Sequence, residues 1–95
     1  MIIDKGVSVG EVITIKLTSG EELIASLVEE KPAYVKVSKA RVLTAAKDGI
    51  GMVPYLFTVD PDRKIKIQMS TIVVMEPTEK EYASSYTKAT TGLII

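Results

Sequence analysis

The chain has no cysteine, no histidine and no tryptophan among its 95 residues, and only one phenylalanine. Without cysteine there is no disulfide framework, no thiolate zinc site and no thiol nucleophile. Without histidine the commonest general base and metal ligand is missing. The composition therefore argues against an enzyme, and we expect no cofactor and no bound metal.

The carboxylates do not supply a catalytic pair either. Glu29 and Glu30 are adjacent in a predicted strand, and adjacent strand residues point to opposite faces of a sheet. The sequence Asp-Pro-Asp at residues 60–62 is typical of a tight turn. A Gly-Ile-Gly sequence at residues 49–51 could cradle a phosphate, but no helix is predicted to follow it. We therefore predict no catalytic residues.

Long apolar runs and an excess of one charge are also absent. No apolar stretch approaches the ~20 residues needed to span a bilayer, and residues 1–6 lack the apolar core of a signal peptide. We expect no membrane partner and a cytoplasmic location. Basic and acidic residues number 12 each, so net charge neither favours nor excludes nucleic acid. The length suits a single domain over residues 1–95, and 46% hydrophobic residues favours burial of some apolar surface between subunits.

The charges are nevertheless segregated along the chain. Acidic residues concentrate in residues 11–30 and 76–81, whereas basic residues concentrate between them, at Lys31, Lys36, Lys39, Arg41, Lys47, Arg63, Lys64 and Lys66. A neutral chain with such a strip can carry an anion-binding face. The alternative is that these side chains are ordinary solvated strand positions.

The clearest structural signal is an alternation of apolar residues on both sides of a Ser-Gly turn at Gly20. The apolar positions are Ile13, Ile15 and Leu17, then Leu23, Ala25 and Leu27. A period of two around a glycine turn predicts a β-hairpin, with strands at about 11–17 and 22–30 and one buried face. Gly20 is expected to adopt a positive φ. Ile24 and Val28 fall on the other face, where a helix or a partner chain could cover them.

Four further extended segments follow. Pro32 ends the second strand, and the next, at about 33–43, changes its apolar parity midway, which predicts a bulge or bend. After a loop at 45–51, strands at about 52–59 and 64–69 are predicted to pair through a turn at 60–63, with Val53, Tyr55, Phe57 and Val59 on one face. A corner at Ser70 and Thr71 precedes a short final strand at 72–75.

A helix is predicted at the C-terminal end of the chain. Thr78 reads as the N-cap, with Glu81 as its capping-box partner, and the helical segment spans about 78–90. Tyr82, Tyr86 and Ala89 share one side and would pack on the sheet. The fold class is therefore mainly β: a small, bent antiparallel barrel over about 11–76, with a C-terminal α-helix.

The pattern Ile-x-Ile-x-Leu-x-Ser-Gly-x-x-Leu-x-Ala-x-Leu at residues 13–27 resembles the first motif of the Sm/LSm-like RNA-binding proteins, which include the bacterial Hfq type. Ala25 stands where that family most often has glycine. The family's second motif, Ile-Arg-Gly-Asn-x-Ile, aligns with residues 67–72. Here Gln68, Met69 and Ser70 replace the Arg, Gly and Asn, so the second motif diverges.

The resemblance implies a five-stranded barrel of SH3-like or Sm-like type. It also implies a homo-oligomeric ring of five to seven copies, joined by edge pairing of the fourth and fifth strands of that barrel. The interface would contain Val53, Tyr55, Ile72, Val73, Val74 and Met75. It also implies binding of single-stranded RNA, with single-stranded DNA as a second candidate ligand, and a role in RNA or DNA processing. The predicted binding residues are Lys31, Tyr34, Lys36, Gln68 and Ser70. The alternative is a protein-interaction or structural module on an SH3-like or OB-like barrel, without nucleic-acid binding.

Overall fold

The structure is a computed structural model that describes residues 6–47 and 49–91. The described chain forms six strands, a 3-10 turn at Met69–Thr71 and one helix. In order they are β1 (Val12–Leu17), β2 (Glu22–Glu30), β3 (Tyr34–Ala46), β4 (Gly49–Pro54), β5 (Ile65–Gln68), β6 (Ile72–Pro77) and α1 (Lys80–Thr91). The sheet is antiparallel in the order β4-β3-β2-β1-β6, and β5 also pairs with β3. The predicted mainly-β fold with a C-terminal helix is confirmed, and the bent sheet is not closed.

The β1–β2 hairpin forms as predicted. Ile13 faces Ala25 and Ile15 faces Leu23 across the two strands, and these four side chains are fully buried in the core. Gly20 has a φ of 107°, which a side chain rarely tolerates. The alternating apolar residues therefore build one wall of the core, because every second side chain points to the same face.

Strand β3 is long and bent, and it organises the far side of the sheet. Its first half pairs with β5 and its second half with β4, while β2 runs along its other edge. Lys39, between the two halves, has a φ of 56°, which is where the predicted change of parity occurs. Since β4 and β5 share one edge of β3, the six strands occupy the five positions of the predicted sheet.

The predicted hairpin of residues 52–59 and 64–69 is wrong. Strand β4 begins earlier, at Gly49, and pairs directly with the end of β3, so the predicted loop at 45–51 is the tip of a β3–β4 hairpin. The chain then leaves the sheet after Pro54 and returns at Ile65. Phe57 is 81% exposed instead of sharing a strand face with Val53. The reason is the bend in β3, which separates its two pairing stretches, so the chain on that edge must loop out between them.

Helix α1 packs on the outer face of the sheet, and Tyr86 is its buried contact. The Tyr86 hydroxyl lies 2.9 Å from the carbonyl oxygen of Lys39 and 3.2 Å from Ser26 Oγ. Tyr82 and Ala89, predicted on the same side, are exposed. The helix starts one residue later than predicted for a Thr78 cap, and the Thr78 hydroxyl instead bonds to Thr14 Oγ1 at 2.8 Å.

Two further findings concern the extent of the fold. Within residues 6–47 and 49–91, no helix has the length and apolar character required to cross a membrane. The apolar residues at 93–95 lie outside the described residues.

Candidate nucleic-acid interface

Strand pairing brings the predicted binding residues to one region. In the β3–β5 ladder Tyr34 faces Gln68 and Lys36 faces Lys66. The backbone N–H of Met69 donates to the carbonyl oxygen of Ala33 at 2.9 Å. This bond joins the loop after β2 to the 3-10 turn after β5. The turn that carries Ser70 therefore lies beside the loop that follows Lys31.

The alternation within each strand decides which side chains face outward. Val35 and Val37 of β3 and Ile67 of β5 are buried in the core. The intervening residues Tyr34, Lys36, Lys66 and Gln68 must then lie on the opposite face, since strand side chains alternate. Together with Glu29 and Lys31, we call these residues the basic patch.

One carboxylate lies at the centre of the basic patch. Lys31 Nζ is 3.8 Å from Glu29 Oε2, and Lys36 Nζ is 3.8 Å from Glu29 Oε1. The Tyr34 hydroxyl donates to Glu29 Oε1 at 3.2 Å. Glu29 thus contacts the two lysines and the tyrosine, while the three lysines of the patch outnumber it. The patch keeps a net positive charge of about +2, which suits an anionic ligand.

The Tyr34 ring is the aromatic element of the patch. Lys66 Nζ lies 4.8 Å from the ring centroid, within the range of a cation–π contact. Desolvation and the hydrogen bond to Glu29 raise the pKa of the Tyr34 phenol above its ordinary value, so the side chain stays neutral at physiological pH. Tyr34 therefore acts as a fixed, half-buried ring that holds a cation at the surface.

Lys66 was missed as a binding residue by sequence reasoning. The sequence predicts a strand over residues 64–69 that contains Lys66, but it pairs that strand with the wrong partner. Only the observed β3–β5 pairing places Lys66 across from Lys36 and above Tyr34. A lysine that alternates with buried isoleucines was the available signal, and it carried no information about its neighbours across the sheet.

Gln68 and Ser70 are the exposed polar members of the predicted site. The backbone at this corner is fixed by a bond from Thr71 Oγ1 to the carbonyl oxygen of Gln68 at 2.7 Å, and the predicted corner is confirmed as the Met69–Thr71 turn. Both side chains present groups that can donate and accept hydrogen bonds. They can read base edges, but they lack the fixed bidentate geometry of arginine.

The predicted interface residues divide into two groups. Tyr55, Ile72 and Met75 are partly buried and pack against the core, and Val53 faces Val42 within the sheet. On β6, in contrast, Val73 is 61% exposed and Val74 is 45% exposed. The β6 strand ends the sheet at one side, and β4 with β5 ends it at the other. In the described part of the chain, both sheet edges are thus open to a partner strand.

A groove lies on the outer face of the sheet near the start of α1. This groove of about 250 Å³ is lined by Thr14, Glu22, Ile24, Leu43, Ile50, Thr78, Glu79 and Tyr82. Its charged lining residues are two glutamates, which would repel a polyanion. Within the residues that the structure describes, no group of three or more histidine, cysteine or acidic side chains could hold a metal ion. The basic patch is therefore the better site for an anionic ligand.

Comparisons with known proteins identify the fold. The sequence matches no protein-family profile and no curated protein. The structure is similar to the crystal structure of a heptameric archaeal Sm protein, with a TM-score of 0.53 and 11% sequence identity. The similarity covers 76% of this chain and 91% of the archaeal chain. At this identity the comparison establishes the fold, which is Sm-like, as the first motif suggested.

Proposed function

We propose that this chain is a ring-forming Sm-like protein that binds single-stranded nucleic acid through the basic patch, with little sequence preference. The observation that carries the proposal is the β3–β5 pairing, which places Lys36 and Lys66 side by side on an outward face next to Tyr34 and Gln68. Clustered lysines attract phosphates through charge rather than through base identity. Gln68 and Ser70 add hydrogen bonds to base edges.

The proposed ring rests on the two open edges of the sheet. Strand β6 can extend the sheet of a neighbouring copy at its β4/β5 edge. This is a head-to-tail contact, which closes into a ring when the rotation between copies divides a full turn without a rise along the axis. The similar archaeal Sm protein is heptameric, and we propose five to seven copies here. A ring repeats the basic patch once per subunit, so that weak contacts combine along one strand.

The proposed cellular role follows from this chemistry. A cytoplasmic ring that holds single strands with little regard for sequence is suited to RNA or DNA processing, where the same site must accept many substrates. The proposed ring would bind and position the nucleic acid, and this role needs no catalytic residue. The alternative, an interaction module that does not bind nucleic acid, makes the opposite prediction in the binding assay below.

The test is a fluorescence-anisotropy titration of labelled oligo-U, oligo-A and single-stranded DNA. If three lysines of one subunit contact phosphates, affinity should fall roughly 20-fold between about 50 and 200 mM salt, because each contact contributes a slope of about −0.7 on a log–log plot. Each variant removes one lysine from every subunit, so Lys36→Gln and Lys66→Gln should each flatten that slope by about 0.7 for every subunit that the strand contacts. Lys88→Gln is the matched control, since Lys88 is an exposed lysine in the last turn of α1.

The outcomes of this titration distinguish the nucleic-acid function from the interaction module. Salt-dependent binding that is weakened by the two patch variants and not by the control supports the nucleic-acid function. No binding of any oligonucleotide at low salt would favour the interaction module. Equal losses in all three variants would mean that overall charge, and not the basic patch, determines binding.

A further inference from the structure

The sheet edge formed by β4 and β5 is interrupted by an exposed apolar loop. Residues 55–64 leave this edge at the bend of β3 and return to it at β5. The backbone N–H of Tyr55 donates to the carbonyl oxygen of Ala40 at 3.1 Å, which fixes the start of the loop against β3. The loop therefore occupies the same margin of the sheet as the two short strands that flank it.

This loop displays the most exposed large apolar side chain among those described. Phe57 is 81% exposed, and its neighbour Leu56 is also exposed. The far end of the loop is an ordered turn, in which Asp60 Oδ1 accepts from the Asp62 N–H at 2.9 Å. Neighbouring large apolar side chains that are exposed on a surface are typical of an interaction site.

The opposite edge carries a second apolar patch. Lys16 and Leu17 of β1 face Val74 and Ile72 of β6, so the pairing register skips Val73 on β6. Such a bulge locally disrupts the pairing with β1. Val73 and Val74 are both exposed there. Each margin of one sheet therefore ends in an exposed apolar pair.

We propose that Leu56 and Phe57 of one subunit pack against Val73 and Val74 of the next subunit. This inference rests on the proposed ring. Strand β5 has four residues and β4 six, so backbone pairing along this interrupted edge is short, and the loop supplies the apolar contact that the missing strand segment would have made. Burial of a phenylalanine contributes about as much as several such backbone hydrogen bonds.

A second copy fits this loop better than a nucleic acid does. Phosphate binding requires an excess of positive charge. The loop carries Asp60 and Asp62 beside Arg63 and Lys64, so its charges balance. Leu56 and Phe57 are apolar and have no net charge around them, so they suit contact with the exposed valines of β6. In a head-to-tail assembly the β6 edge of one copy lies against the β4/β5 edge of the next.

Because the chain contains no natural cysteine, disulfide cross-linking can test the contact directly. The double variants Phe57→Cys/Val73→Cys and Phe57→Cys/Val74→Cys are oxidised at a concentration at which light scattering shows each variant to be assembled, and are then run on a non-reducing gel. A disulfide requires Cβ atoms about 3.5–4.5 Å apart. We expect at least one double variant to give a ladder of covalent oligomers that ends at the subunit number of the ring. Phe57→Cys/Val9→Cys is the control, since Val9 is exposed but lies outside both edges.

Assembly of the unmodified protein, measured by light scattering, keeps the two proposals separate. A wild-type ring without a ladder in either double variant overturns the Phe57 contact and leaves the ring standing. A wild-type monomer overturns the ring, and with it this contact. In addition, Phe57→Asp should raise the concentration for half-assembly at least tenfold, and Val9→Asp should not. If Phe57→Asp keeps the ring intact and loses oligonucleotide binding, Phe57 contacts nucleic acid and the proposal is wrong.

Discussion

Replacing Glu29 by glutamine should strengthen nucleic-acid binding. Glu29 is the one acid of the basic patch and pairs with Lys31 and Lys36 at 3.8 Å each. It therefore competes with phosphates for the same two ammonium groups. The amide of Glu29→Gln keeps an oxygen that can accept from the Tyr34 hydroxyl, so the geometry of the patch should be retained while its net charge rises from about +2 to about +3.

The size of the gain can be worked from these distances. A phosphate that contacts Lys36 from its free side would lie roughly 7–8 Å from the Glu29 carboxylate. Two like charges at that separation repel by about 0.5–1 kcal/mol when the effective dielectric constant is about 40–80. Removing the repulsion should therefore tighten binding about two- to fivefold at low salt. The slope of log affinity against log salt should steepen by up to about 0.7, because freed lysines can engage one more phosphate.

The assay is the same anisotropy titration, with Glu22→Gln as the matched control. Glu22 begins β2 and Glu29 lies near its end, so the two are separated by about 23 Å of strand. That distance exceeds the screening length of about 10 Å at 0.1 M salt, and the control should leave affinity unchanged. Thermal melts should show a small difference, under about 1 kcal/mol, because exposed ion pairs contribute little.

Two results would refute this reasoning. If Glu29→Gln binds more weakly at unchanged stability, then Glu29 positions the lysines and does not oppose the ligand. If both glutamine variants strengthen binding equally, then the overall charge of the protein determines affinity and the ligand need not lie on the basic patch.

The other predictions concern Tyr86, which anchors the helix. Tyr86→Ala should lower the free energy of unfolding by about 3–5 kcal/mol. It should also reduce the helical signal in circular dichroism, because a detached 12-residue helix is marginal in water. An unchanged helical signal would contradict the anchoring role of Tyr86. Burial raises the pKa of the Tyr86 phenol, so its stabilising effect is complete below the unfolded value of about 10 and is lost as pH rises through the folded value. Urea titrations should therefore show the stability difference between wild type and Tyr86→Phe narrowing above pH ~10, whereas a constant difference would contradict the burial of the phenol.

Local elements of the fold were predictable because their signals are local. The β1–β2 hairpin depends on residues that are neighbours in the chain, and Gly20 marks its turn by the one conformation that only glycine adopts easily. The same holds for the Met69–Thr71 corner and for the helix. For the helix, however, the sequence placed Tyr82 and Tyr86 together, and only Tyr86 is buried.

The composition of the candidate site was also largely readable from the sequence. Lys31, Tyr34, Lys36, Gln68 and Ser70 were chosen from the family resemblance and from residue chemistry, and the structure brings them to one region. Their role in binding stays a prediction. Glu29 and Lys66 complete the basic patch, and neither was chosen, since each acquires its significance from a neighbour across the sheet.

The sequence by itself thus determined the inward side chains of β1 and β2 and the turns at Gly20 and at residues 69–71, because alternation and turn chemistry act over a few residues. The tertiary structure decided which strands are partners. The bend of β3 at Lys39 divides one edge of that strand between β4 and β5. The alternation of apolar and polar residues within a strand carries no information about this long-range geometry. The bend moved Lys66 beside Tyr34 and put Phe57 in the solvent, so both the proposed binding face and the proposed subunit contact exist only once the sheet has folded.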